Sequence, residues 1–313
     1  MNLDKRLESV AVLGAGGKMG SGISLLLARE MTLQQLKNAD TTYKLTLMDI
    51  SSDALDGLKA YLAKQAARYV DKYGDKLSEQ LPGIPTEALQ ETYVNTMQAI
   101  LNPITNLQDL PKCHMVFEAI LEKIDLKIRV YKDLKERSPE HTYFFSNTSS
   151  IPLHTLDEVA GLSGRIIGFH FYNPPAVQKL VELIIPTSVD AELPELSREI
   201  GKRLGKIIIP SNDLAGFIGN GHFMRDGLHG ISQVENLTGD LNFAEAVYAI
   251  NKVSQTYLLR PMGIFQLIDY VGLDIFQSIL TIMNPAFADE ELHSSLIDKL
   301  VAAGVKGGQF SDG

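Results

Sequence analysis

The sequence predicts an α/β fold: a doubly wound sheet carrying an inserted helical hairpin, followed by an all-helical C-terminal domain. Three observations predict it. Short apolar runs of strand length alternate with longer helical patterns as far as Pro210. A glycine-rich turn joins the first apolar run to the first helical pattern. From Leu214 onward only helical patterns remain, broken near Gly239, Pro261-Met262-Gly263 and Asn284-Pro285. The boundary falls at about Asn212, giving one domain over 1–212 and a second over 213–313.

The 313 residues suffice for two domains with a sizeable core. A hydrophobic content of 45% with 21% charged residues marks a globular chain rather than a disordered one. The net charge of -9 argues against a general nucleic-acid binder but leaves room for an anionic small ligand at a local basic patch. With a single cysteine, Cys113, an intrachain disulfide or a cysteine-based metal site is excluded, and the 7 histidines lack metal-ligand spacing. No metal is expected. The charged N-terminus lacks an apolar signal region and is read as running straight into a strand. No apolar run reaches membrane-spanning length. A cytoplasmic enzyme is expected, with no membrane or nucleic-acid partner.

Ser9 to Gly14 reads as the first buried strand. Gly14-Ala15-Gly16-Gly17-Lys18-Met19-Gly20 follows, and Ser21 to Glu30 is helical. Glycines let a backbone approach a pyrophosphate, and a helix N-terminus offers free N–H groups and a positive dipole end. The pattern G-x-G-x-x-x-G is one residue longer than the usual dinucleotide fingerprint, so an ordinary tight turn is the alternative. The second strand, Lys44 to Met48, ends in Asp49. A carboxylate there accepts hydrogen bonds from ribose hydroxyls and repels a 2′-phosphate, which favours NAD over NADP. The alternative is a solvated strand-end acid. Positions 20 and 49 lie further apart than the usual spacing of about 20 residues, so an extension lies between Met31 and Tyr43.

Ser52 to Tyr73 is helical with Lys64, Arg68, Lys72 and Lys76 along one face. That stripe is either a solvated helix face or a cradle for a phosphate-bearing ligand. After the break at Leu81-Pro82-Gly83-Ile84-Pro85, a second helix from Thr86 to Ile100 completes a hairpin. His114 to Ala119 resembles a strand and Ile120 to Arg137 a helix, with Glu122 and Lys127 early in it. Glu118 and Glu122 are alternatively helix-start carboxylates. Three more strands follow at Tyr143 to Phe145, Arg165 to Phe169 and Leu180 to Ile185. A helix from Glu192 to Leu204 and a last strand from Lys206 to Pro210 complete the pattern.

The stretch from Thr142 to Pro186 is the chemical centre of this pattern. Ser146, Asn147, Ser149, His170, Asn173 and Glu182 stand at or just past strand ends, where open α/β sheets bind ligands. A hydroxyl, an imidazole, an amide and a carboxylate gathered there suit proton transfer.

The ordered blocks Ser146-Asn147-Thr148-Ser149-Ser150, His170-Phe171-Tyr172-Asn173-Pro174, Lys179-Leu180-Val181-Glu182, Asp213 with Gly216-Phe217-Ile218 and Asn220, and Pro261-Met262-Gly263 through Asp274 carry a resemblance over nearly the whole chain. The sequence resembles the NAD-dependent L-3-hydroxyacyl-CoA dehydrogenases of fatty-acid β-oxidation. The resemblance implies a Rossmann-like NAD domain, a helical domain serving a homodimer, and a hairpin covering an acyl-CoA. It implies His170 as general base, paired with Glu182; imidazole suits this because it ordinarily titrates close to neutral pH. Ser149 and Asn220 would position the reacting oxygen and the thioester carbonyl. The turn residues Gly14, Gly16, Gly17, Met19 and Gly20, with Asp49, Glu122, Lys127 and Asn173, would contact NAD. Lys64, Arg68 and Lys72 would meet the CoA moiety. Ser146 and Asn147 would support the turn.

The sequence departs from the family in the longer glycine turn, in Gly221 where Arg is common, in Ala215 where Pro is common, and in Gln266 in place of Glu. The family commonly continues past the point where this chain stops, so a truncated chain or a piece of a longer protein is expected. Two rival readings remain: a related NAD-dependent dehydrogenase of a free hydroxy acid, and a catalytically weak dehydrogenase-like binding protein.

Overall fold

A computed structural model describes residues 1–308. These form two compact units: Met1–Thr148 with Leu153–Asp213, and Ser149–Pro152 with the chain from Leu214 onward. The short segment Ser149–Pro152 thus groups with the second unit, whereas the sequence reading puts all of it in the first.

The first unit opens with a helix, α1 (Leu3–Leu7), where the sequence reading expects direct entry into a strand. Asn2 starts it by accepting the Lys5 N–H at 3.0 Å, and Leu3 and Leu7 fix it to the core. The chain continues through β1 (Ser9–Leu13), α2 (Lys18–Lys37) and β2 (Lys44–Met48). The expected extension between Met31 and Tyr43 is mostly α2 itself, which runs on to Lys37. The hairpin is α3 (Ser52–Gln80) and α4 (Leu89–Ile100). Ser51 caps α3 by accepting the Ala54 N–H at 3.2 Å, and Tyr73 interrupts its helical geometry.

An edge strand that sequence reading misses, β3 (Leu101–Ile104), then pairs with β2. Its Pro103 argues against a strand by composition, but an edge position tolerates a residue with no N–H. Next come β4 (Met115–Glu118), α5 (Ile124–Arg137) and β5 (Tyr143–Ser146). Sequence reading also misses α6 (Leu153–Ala160). Its first turn is held from far along the chain: Asp213 accepts the N–H groups of Leu153 and His154 at 2.6 and 2.7 Å. Then follow β6 (Ile166–Phe171), β7 (Leu180–Ile185), α7 (Leu193–Arg203) and β8 (Ile207–Asn212).

The eight strands form one sheet in the order β3-β2-β1-β4-β5-β6-β7-β8, parallel throughout except for the antiparallel β6–β7 pair. Strand order reverses between β1 and β4, so a crevice opens beyond their carboxyl ends. The central strands are buried on both faces, as parallel strands under helices must be. Phe117 and Phe145 stack at 4.5 Å, with Phe169 edge-on to both.

The second unit is helical: α8 (Gly219–Leu237), α9 (Phe243–Thr256), α10 (Ile264–Val271), α11 (Leu273–Met283) and α12 (Ser295–Ala302). Its core joins Met224, Ile264, Ile268, Phe276, Leu280 and Met283. No single helix among the described residues is long and apolar enough to cross a membrane.

Candidate active site and cofactor cleft

The glycine turn sits at the crevice between β1 and β4. Gly14 has φ +71°, and a Cβ there would stand 2.5 Å from the Ala119 carbonyl oxygen. At Gly20 a Cβ would fall 2.0 Å from the Gly14 carbonyl oxygen, so only glycine lets α2 start this close to the turn. The additional residue is absorbed ahead of the helix: the Gly17 N–H closes the turn onto the Gly14 carbonyl at 3.1 Å, and Gly17 is the N-cap of α2. No side chain caps that helix, as suits an end that receives phosphate oxygens. Met19 is partly buried against the core. Gly20→Ala is expected to weaken NADH binding by at least about tenfold, because α2 must retreat from the turn; calorimetry checks this.

Asp49, just past β2, accepts the Gly16 N–H at 2.9 Å and the Ser51 N–H at 3.1 Å. Its carboxylate therefore ties the glycine turn to the start of α3. A cleft of about 400 Å³ opens beside it, lined by Gly14, Gly17, Asp49, Ile50, Ala119 and Leu121 among others. Its lining is largely apolar with a carboxylate at one side, which fits an adenosine.

Beyond β4 lies a buried polar network. Glu118 is fully buried and receives the Lys127 ammonium at 2.6 Å, the Ser146 hydroxyl at 2.7 Å, the Ile120 N–H at 2.9 Å and the Tyr131 hydroxyl at 3.1 Å. Lys127 also meets Glu122 at 3.2 Å, and Glu122 accepts the Thr148 hydroxyl at 2.6 Å. Lys127 is 1% exposed, so its ammonium is enclosed by these two carboxylates rather than open to solvent. Burial lowers its pKa, but the Glu118 and Glu122 carboxylates more than offset this and hold it above the ordinary lysine value. Glu118 is no helix-start carboxylate: it ends β4, and α5 begins only at Ile124.

His170 and Glu182 are cross-strand partners in the antiparallel register of β6 and β7. The His170 Nδ1 lies 2.7 Å from the Glu182 Oε2, and both residues are buried. A carboxylate only accepts, so the shared proton belongs on Nδ1, and Nε2 keeps the lone pair a general base needs. Tyr172 stands just past the end of β6, its ring 5.3 Å from that of His170. Burial and then the nearby Glu182 carboxylate push the phenol pKa upward. Sequence reading gives Tyr172 no role, although its place two residues after His170 is the signal that finds it. Asn147 accepts the Phe171 N–H at 2.9 Å and so fixes the end of β6. Asn173 is exposed in the loop that follows. Lys206 also escapes sequence reading: its ammonium donates to the carbonyls of Pro175 and Gln178 at 2.5 and 2.7 Å and pins that loop.

In the second unit, Asn220 donates through Nδ2 to the Ser149 carbonyl at 2.9 Å, so the two predicted positioning residues are neighbours. Lys64, Arg68 and Lys72 are exposed along α3.

Residues 9–214 match the family profile described as the 3-hydroxyacyl-CoA dehydrogenase NAD binding domain, and residues 243–313 match the C-terminal domain of the same family. The chain belongs to the 3-hydroxyacyl-CoA dehydrogenase family. It is an NAD-dependent dehydrogenase, and the glycine turn, Asp49 and the apolar cleft fit NAD. Among relatives, it is 30% identical to the mitochondrial hydroxyacyl-coenzyme A dehydrogenase of Homo sapiens, over 98% of this chain and 90% of that one. It is 29% identical to a probable 3-hydroxybutyryl-CoA dehydrogenase of Bacillus subtilis, over 95% and 93% of the two chains. The solved (S)-3-hydroxybutyryl-CoA dehydrogenase of Ralstonia eutropha superposes with a TM-score of 0.76 at 26% identity, over 97% and 96%.

Apart from the longer glycine turn, the departures from the family pattern lie in the helical unit of this dehydrogenase. Gly221 leaves space that the Arg225 side chain borders from one turn on, donating to the Gly221 carbonyl at 2.9 Å. Gln266 accepts the Gly263 N–H at 2.9 Å and so caps α10, a task an acid performs equally.

Proposed function

We propose that this dehydrogenase reversibly oxidises an L-3-hydroxyacyl-CoA to the 3-oxoacyl-CoA. The observation that carries the reading is the buried His170–Glu182 pair, set by strand register at 2.7 Å. His170 takes the proton of the 3-hydroxyl through Nε2 as the C3–H bond breaks. NAD, when bound, supplies the acceptor for the two electrons and the hydrogen of that bond. Glu182 holds the ring in one tautomer and stabilises the imidazolium that forms. Ser149 and Asn220 position the substrate oxygens. In reduction, His170 returns the proton and those donors stabilise developing negative charge. Basic residues on α3 receive the CoA phosphates. The chain works as a homodimer in the cytoplasm, which light scattering and fractionation test.

The expected result is oxidation of NADH on addition of acetoacetyl-CoA, in preference to NADPH, with Asp49 opposing the 2′-phosphate. A protein that binds NADH tightly but turns over no acyl-CoA thioester overturns the reading.

A further inference from the structure

The loop from Tyr172 to Lys179 joins the two strands that hold His170 and Glu182, and it carries Asn173 near its start. Both of its ends are fixed by hydrogen bonds. The Phe171 N–H donates to the Asn147 side chain at 2.9 Å, and the Lys179 carbonyl accepts the Ile207 N–H at 2.8 Å. Between those ends the chain makes one tight turn. The Pro174 carbonyl accepts the N–H groups of Val177 and Gln178 there, each at 3.0 Å.

That turn is held from two sides. On one side lies α2. A Cβ at Gly22 would stand 2.8 Å from the Pro175 ring, so the loop packs directly on this helix, one turn past its start at the glycine turn. On the other side lies Lys206, the residue before β8. The carbonyls of Pro175 and Gln178 converge on its ammonium at 2.5 and 2.7 Å.

Lys206 is half-buried, and no carboxylate lies within ion-pair reach of it among the described residues. Burial and then the positive charge of Arg29 lower its pKa. Its surroundings thus disfavour the ammonium, and the two charge-assisted hydrogen bonds to backbone carbonyls offset this. A cation used in that way fixes the path of a loop and neutralises no partner. The loop is clamped between the helix that receives the cofactor phosphates and the start of β8. Asn173 is exposed one residue before the clamped turn, and its amide offers both a donor and an acceptor.

We propose that Lys206 is a positioning residue for the cofactor: its two hydrogen bonds hold the Pro174–Gln178 turn against α2 and so aim the Asn173 amide at bound NAD. The proposal goes beyond the acyl-CoA reading. It rests on Asn173 as a cofactor contact, which the family resemblance implies. Removing the ammonium leaves two carbonyls without their donor and frees the turn, while the glycine turn and Asp49 stay as they are. The loss therefore passes through Asn173.

Calorimetric titration of NADH into wild type, Lys206→Met, Asn173→Ala and the double variant tests this. Each single change should weaken NADH binding about tenfold, and the double variant should bind no more weakly than Asn173→Ala alone. Lys206→Arg still offers donors to both carbonyls and should fall between wild type and Lys206→Met. Thermal midpoints report that each protein is folded; if Lys206→Met does not fold, the same cycle run with Lys206→Arg decides, on a smaller expected loss. A lysine that serves stability alone would lower the midpoint and leave NADH affinity unchanged well below it, and that result overturns the proposal. A double variant about a hundredfold weaker than wild type, as two independent sites give, overturns it too. So does an Arg variant as weak as the Met variant, or an Asn173→Ala protein that binds NADH like wild type. NADH binding is read directly, so absent thioester turnover counts against the acyl-CoA reading and leaves this test intact.

Discussion

His170→Gln is expected to lower kcat/KM for acetoacetyl-CoA by about 10²- to 10⁴-fold, the range that a positioned general acid–base contributes. Glutamine fills similar space and keeps a hydrogen-bonding group facing Glu182, but it cannot take up the substrate proton. The loss should therefore fall on kcat, with NADH affinity and thermal midpoint near wild type. Glu182→Gln should produce a loss of the same order by another route. An amide can present its N–H to Nδ1, and that reverses the tautomer and puts the proton on Nε2, where the lone pair is needed. Rapid-mixing measurement of NADH consumption checks both. A His170→Gln protein that keeps a tenth or more of wild-type kcat, or a loss confined to KM, removes His170 from the base role.

Glu118→Gln is expected to destabilise the chain by about 3–5 kcal/mol, the usual consequence of breaking a buried ion pair from one side. The change preserves shape but withdraws the carboxylate that holds the Lys127 ammonium at 2.6 Å. Glu122, 3.2 Å away and 29% exposed, is then the remaining anion near that charge. Adding Lys127→Met should recover more than half of the loss, because no uncompensated charge stays buried. Urea titration of the three proteins measures this, and a cost for Glu118→Gln below about 1 kcal/mol contradicts it. The network also sets a pH limit. The folded value of Lys127 lies above the ordinary 10.5, so its stabilisation is fully present below about that pH and is lost as pH rises through the folded value. Because Glu118 also accepts the Ile120 N–H at the rim of the cleft, NADH affinity should weaken in Glu118→Gln alongside stability.

Much of the fold is legible because its strands are short apolar runs. Lys44–Met48 and Leu180–Ile185 stand in the structure with the bounds their composition suggests. The sequence loses β3, since Asn102 and Pro103 are poor strand residues that only an edge position tolerates. It loses α6 too, because the acceptor for its first N–H groups, Asp213, is remote in sequence. Residue types at strand ends were enough to single out Ser149, His170 and Glu182, and the family resemblance added Asn220, but residue types alone do not say which side chain meets which. Lys127 shows the difference: its position early in α5 is compatible with a ligand contact, and only packing reveals that its ammonium is enclosed by two carboxylates.

By itself, the sequence determined the alternation of strands and helices, the glycine turn that a side chain would obstruct, the acid at the end of β2 and the change to helices after Asp213. These follow from local rules: hydrophobic period, backbone freedom at glycine, and the chemistry that each residue type carries. Only the tertiary structure decided that β6 and β7 run antiparallel in a register that places His170 opposite Glu182. It alone shut Glu118, Lys127 and Tyr131 away from water, and it alone brought the Lys206 ammonium to the carbonyls of Pro175 and Gln178. The physical reason is that hydrogen bonds and ion pairs act over a few ångströms, while the residues that make them are brought to that distance by strand register and helix packing between remote segments.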